Sequence, residues 1–165
     1  MKENILKRGS TLFLKATLCV IAIAILAFCI FAIPLISQGV GVEFPNLAYL
    51  KYPILIGGYA TAVPFLIALY QAFLLLIFID KNKAFSEVSI KALKYIKYCG
   101  IVMTILYAAG LPMMAQIADA DDAPGLVVLG MLIVCAPIVI AVFAAVLQKL
   151  VQNAIDMKSE NDLTV

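Results

Sequence analysis

Four stretches of this chain, residues 16–36, 53–79, 99–118 and 126–147, contain no Asp, Glu, Lys or Arg, and each is 20 residues or longer. About 20 apolar residues in an α-helix cross the ~30 Å hydrocarbon core of a bilayer, so each stretch is long enough to span a membrane. Within lipid a segment must satisfy its own peptide groups, which a helix does internally. The expected fold is an all-α membrane protein, a four-transmembrane-helix bundle. Residues 1–165 then form a single membrane domain, with spans near 16–36, 53–79, 99–118 and 126–147 and a helical extension and tail over 148–165. Composition agrees: 65% of the 165 residues are apolar, against about 45–50% in soluble domains. The residues outside the spans are too few for a separate soluble domain.

The charges set an expected topology. Eleven of the 12 basic residues fall before span one (Lys2, Lys7, Arg8, Lys15), between spans two and three (Lys81, Lys83, Lys91, Lys94, Lys97) or after span four (Lys149, Lys158). Only Lys51 falls on the other side. Short loops rich in Lys and Arg stay in the cytoplasm, so both termini are expected there. The start of the chain has the charge pattern of a signal peptide. Its apolar run is too long for one and lacks a clear small-residue cleavage site, so it reads as an uncleaved first span. Lys15, at the edge of that span, can snorkel to the headgroups. Tyr49, Tyr52, Tyr95 and Tyr98 fall where an interfacial aromatic belt would place them.

Little chemistry is available to such a chain. It has no histidine, which excludes imidazole acid–base catalysis and haem–histidine ligation. Cys19, Cys29, Cys99 and Cys135 lie inside spans without a CxxC or metal spacing and read as small packing residues. No carboxylate or amine lies at membrane depth, where ion-coupled transporters usually keep one. Asp119, Asp121 and Asp122 in the second outer connection read as a solvated loop rather than a cation site. No enzyme activity, metal or cofactor is expected.

Each span carries one proline: Pro34, Pro64, Pro112 and Pro137. Proline frees the carbonyl four residues earlier and kinks the helix, so these positions, with the polar pair Tyr70 and Gln71, are candidates for a cleft opening to the outer side. Ordinary bundle geometry is the competing reading. Gly58 with Ala62, Ala141 with Ala145, and the run Ala108-Ala109-Gly110 offer close helix contact.

Two segments on the basic side carry more information. Ser86 is an N-cap candidate, with Glu87 in the first turn of the helix that follows. Lys91, Lys94 and Lys97 recur along one side of that helix, and Val88, Ala92, Tyr95, Ile96 and Cys99 along another, as in an amphipathic lead-in to span three. The lysines set topology and meet anionic lipid, or they dock an acidic partner. After span four, Leu147, Leu150, Val151, Ala154 and Ile155 form one apolar stripe at helical spacing. The helix is therefore expected to continue into the cytoplasm and bury that stripe against the lysine helix or another protein. The closing residues Glu160, Asn161, Asp162, Leu163, Thr164 and Val165 form the second part of a candidate partner-binding face. Leu163–Val165 is suited by pattern to edge-strand addition.

The stretch Leu147-Gln-Lys-Leu-Val-Gln-Asn-Ala-Ile-Asp-Met-Lys-Ser-Glu-Asn-Asp-Leu-Thr-Val165 resembles the carboxy terminus of a bacterial family of small four-span proteins, domain of unknown function 2975. The Ala84-Phe85-Ser86 turn and the basic helix after it resemble that family's inner loop. The family's turn often reads Gly-x-Pro-Phe-Ser, whereas this chain has Asn82-Lys83-Ala84-Phe85-Ser86. Many members look like genomic neighbours of a small Cro/C1-type helix-turn-helix regulator. The resemblance thus implies a membrane protein paired with a transcription factor, and it supplies no catalytic residues. The expected function is a membrane sensor or tether for a cytoplasmic helix-turn-helix transcriptional regulator, with no direct nucleic-acid binding and with homodimerisation open. The alternative is a small transporter, channel subunit or immunity protein acting on an apolar or membrane-active compound.

Overall fold

In the computed structural model the backbone is described over residues 2–81 and 83–163, and side chains over 11–81 and 83–161. The described residues are almost entirely helical and include no strand. Four helices are long and apolar enough to cross a membrane: Thr11–Glu43, Pro45–Asp80, Glu87–Ala120 and Gly125–Asn161.

The first rod consists of α1 (Lys2–Ala27), one wide π-turn (Phe28–Ala32) and α2 (Ile33–Glu43). The π-turn has a local cause. Pro34 has no N–H, and in a regular helix its ring would press on the Ile30 carbonyl. The turn widens instead, and the Ile33 N–H reaches back to the Phe28 carbonyl, the longer i→i+5 closure of a π-bulge. Phe44 then breaks the helix with a non-helical backbone (φ −122°, ψ 80°), and a 3₁₀ helix, Pro45–Leu50, leads directly into α3 (Lys51–Asp80). Residues that read as an outer connection are thus mostly helical.

α4 (Glu87–Ala120) follows, preceded by Ser86 in an extended conformation. Ser86 holds the N-cap position, but its hydroxyl accepts no helix N–H and donates to the Lys83 carbonyl at 2.8 Å. The far end of α4 closes as a Schellman turn: the Ala123 N–H bonds the Ala118 carbonyl at 2.9 Å, and Asp122 takes the left-handed conformation, φ 50°, that this cap requires. Pro124 immediately precedes α5 (Gly125–Leu163), a position that tolerates its missing N–H.

The helices pack in chain order. The first rod lies against α3, α3 against α4, and α4 most extensively against α5. Among the described residues no comparable packing joins the first rod to α5. α4 and α5 approach backbone to backbone at Gly100, where a Cβ would stand 2.9 Å from the Pro137 carbonyl oxygen and 3.0 Å from the Ala141 Cβ. Ser89, Ala92, Leu93, Cys99, Gly100 and Met103 form the buried face of α4. Two side-chain contacts mark the opposite ends of the molecule. Lys15 of α1 forms an ion pair with Asp80 at the end of α3. The Tyr49 hydroxyl of the 3₁₀ helix donates to Gln116 Oε1 near the end of α4. The first end is where α1 begins and α5 finishes and carries the basic segments, and the second is the far end.

Candidate functional site

Four Ser and Thr hydroxyls within the spans are satisfied inside their own helices. Thr17 donates to Phe13 O, Ser37 to Pro34 O, Thr61 to Gly58 O and Thr104 to Gly100 O, all within 2.8–3.0 Å. Each bond covers a polar group that lipid cannot solvate, so none of these hydroxyls serves as glue between helices.

With polar groups thus internalised, shape dominates the far-end half. A groove of about 600 Å³ lies there and is lined by all four spans. α3 contributes Ile54, Gly57, Gly58 and Thr61; α4 contributes Tyr107, Gly110, Leu111 and Met114. Ile36 of α2 and Gly130 and Ile133 of α5 form the sides. No charged residue lines it. α3 and α4 touch and form the floor, whereas α2 and α5 do not pack on each other. The groove is therefore a trough open between those two helices. Its volume falls in the range of ligand pockets.

Glycines make this space. A Cβ added at Gly57 or Gly110 would meet no atom within 4 Å. Gly58 and Gly130 do the opposite and let neighbours in: a Cβ would stand 3.0 Å from Ile33 at the first and 2.6 Å from Met114 Sδ at the second. Small residues within a span read as contact points in sequence. Here some are contacts and others are voids, and only the facing helix decides which.

The residues expected to shape a cleft lie elsewhere. Pro64 and Pro137 are buried between helices, Pro34 is half-buried beside the π-turn, and Pro112 is exposed; none of the four lines the groove. Tyr70 is exposed and Gln71 half-buried, and neither bonds another side chain among the described residues. The kinks relieve backbone strain at positions set by the proline ring. The void follows the absence of side chains, which proline spacing does not report.

At the terminal end, Lys91 and Lys94 are exposed, and the Lys97 ammonium lies 5.1 Å from the Tyr98 ring centroid, a cation–π distance. The apolar positions of this lead-in divide: Ala92 and Cys99 are buried, whereas Val88 and Tyr95 are exposed. On α5, Val151, Ala154 and Ile155 are half-buried, while Leu147 and Leu150 are exposed. Glu160 and Asn161 are exposed on the last turns, and the backbone stays helical through Leu163. No Gly or Pro interrupts the run after Pro137, so the helix propagates. Thr164 and Val165 lie outside the described residues. The antiparallel crossing at Gly100 sets Lys91 level with α5 near Lys149, so the lysines and Glu160 share one end but are separated by ~15 Å along the axis. The three loop acids form no metal-ligating cluster among the described residues. Asp122 has a role there as the left-handed residue of the α4 cap.

The chain matches the family described as "Protein of unknown function (DUF2975)" over residues 35–165. It belongs to this family. It is also 58% identical, over 160 residues, to the "Uncharacterized membrane protein YoaS" of Bacillus subtilis (strain 168), an alignment covering 97% of this chain and all of that protein. No solved structure matches the chain. The family and the four apolar helices make it a multi-pass membrane protein. Every groove residue falls within the part of the chain that the family match covers.

Proposed function

We propose that this family member is a membrane sensor or tether for a cytoplasmic helix-turn-helix transcriptional regulator, with both termini in the cytoplasm of a bacterial inner membrane. The basic residues concentrated at the terminal end support that orientation, because positively charged loops are retained inside. The observation that carries the reading is the length of α5. From the level of Glu87, where α4 begins, α5 runs on to Leu163, a projection of ~15 Å. Leu150 is 58% exposed at the base of that projection, and Phe85 is 68% exposed in the facing turn. These are exposed apolar side chains at the basic end, where Lys91, Lys94, Glu160 and Asn161 are exposed as well. The likeness of the tail and inner loop to a family associated with such regulators supports the choice of partner. The chain itself neither catalyses a reaction nor binds nucleic acid. A homodimer fits as well, since no more than 17% of the most apolar stretch of any span is buried.

Affinity capture from membranes tests the reading, using the full chain and a version ending at Lys158. Recovery of a helix-turn-helix protein with the full chain, reduced by truncation, is the expected result. Recovery of none with either version overturns it.

The groove favours a second reading, in which the protein handles an apolar or membrane-active compound as a small transporter, channel subunit or immunity protein. A deletion strain separates the two. Changed tolerance to membrane-active compounds with unchanged transcription supports the second; changed transcription with unchanged tolerance supports the first.

A further inference from the structure

We infer that the groove is a binding site for one acyl chain of a membrane phospholipid, taken sideways from the bilayer between α2 and α5, with Lys51 at its rim against the lipid phosphate. The inference rests on the groove being a ligand site and names the ligand class.

Three features select that occupant. The first is depth and length. The groove runs from Pro53 to Thr61 on α3 and from Leu106 to Ile117 on α4, ~12 and ~17 Å of helix. One leaflet of hydrocarbon is ~15 Å deep, so the groove matches a chain from the leaflet at the far end.

The second is chemistry. Thr61 spends its hydroxyl on the Gly58 carbonyl, and the remaining lining is apolar apart from the Tyr107 phenol. A polar or charged solute would lose its hydration there without replacement. Hydrocarbon loses nothing and gains the contacts that the missing side chains of Gly57 and Gly110 leave unmade. The opening between α2 and α5 faces the bilayer at this depth, which admits a chain still joined to its glycerol.

The third is charge. Lys51 is the first residue of α3, and it sits three residues before Ile54 and seven before Gly58. That spacing puts it on the same helix face as the groove lining. It is half-buried, and among the described residues no carboxylate comes within ion-pair distance of it. It is also the only base that the sequence places at this end. A phosphate one turn above the groove meets the one cation positioned for it.

Photolabelling of the full chain in nanodiscs tests this, using a phosphatidylglycerol with a diazirine at mid-chain and, separately, a diacylglycerol with the same chains. The phospholipid is expected to label peptides 53–61 and 106–117 above the other lipid-facing segments. Gly57→Leu with Gly110→Leu puts side chains into the groove from two positions where a Cβ meets no atom within 4 Å, and is expected to abolish that excess while thermal stability is kept. Lys51→Gln is expected to bring phospholipid labelling down to the diacylglycerol level. Even labelling of all four spans, unchanged by the paired leucines, overturns the inference. Equal groove labelling by phospholipid and diacylglycerol overturns the headgroup contact. If excess apolar compound, such as hexadecane, blocks the groove in a tolerance assay while phospholipid never labels it, the groove remains a ligand site and only the phospholipid is rejected.

Discussion

Gly100→Ala is the sharpest test of how α4 and α5 are held together. The new Cβ would stand 2.9 Å from the Pro137 carbonyl oxygen and 3.0 Å from the Ala141 Cβ. Carbon contacts relax at about 3.5–4.0 Å, so α5 must retreat by roughly 0.5–1 Å along the crossing. Backbone and a Cβ cannot rotate away as a long side chain can. Overpacking of this kind costs about 1–3 kcal/mol. Replacing glycine by alanine within a helix returns about 0.5–1 kcal/mol of backbone entropy. The net expectation is a loss of about 1–2 kcal/mol. Gly39→Ala and Gly110→Ala provide the comparison, because a Cβ at either position meets nothing within 4 Å. Both should gain about 0.5–1 kcal/mol, since only the backbone term remains. Unfolding of the purified chain in mixed micelles of rising SDS fraction, followed by far-ultraviolet circular dichroism, measures all three. Ala141→Gly in the Gly100→Ala background should recover part of the loss, not all, because the Pro137 carbonyl stays in place. If Gly100→Ala is stabilised as much as the two comparison variants, the crossing is not tight and the reasoning fails.

Asp122→Gly should be neutral or stabilising, because glycine takes the left-handed cap conformation freely, whereas Asp122→Val should cost about 1–2 kcal/mol in the same unfolding assay. Lys15→Ala should cost no more than about 1 kcal/mol and lose its effect in high salt, because the pair with Asp80 is only partly buried. Lys15→Glu should be worse than Lys15→Ala, and adding Asp80→Lys should restore stability.

The existence of four membrane helices was legible because lipid imposes one strong rule, apolarity over a fixed length, and charge-free runs report it directly. What sits between runs is subtler. Proline at position 34 advertises a local defect, but its form depends on which carbonyl accepts the displaced hydrogen bond; Phe28 does so, with Ile33 as donor. Ala141 was recognisable as a contact residue, yet its partner Gly100 lies on another helix, and spacing within one helix carries no trace of it. The run Ala108-Ala109-Gly110 looked like a contact patch, yet Ala109 and Gly110 line the groove instead. Small residues permit both a close approach and a void. Periodicity did find the outward continuation of α5. It did not separate Val151, Ala154 and Ile155, which are partly covered by neighbouring elements, from Leu147 and Leu150, which are not.

Because each helix packs mainly on its neighbour in the chain, assembly requires little entropic search. The connection between α3 and α4 and the turn at Asp121–Pro124 are short, so closing them restricts few additional chain conformations. Topologies dominated by such near-neighbour pairings form quickly. The α4–α5 hairpin, with the most extensive interface, follows the other helices in the chain and completes itself without waiting for an earlier segment to be released or rearranged. Helices can therefore dock in the order in which they are synthesised, and the first rod and α5 remain as two edges that later partners, lipid or protein, can occupy without dismantling anything already formed.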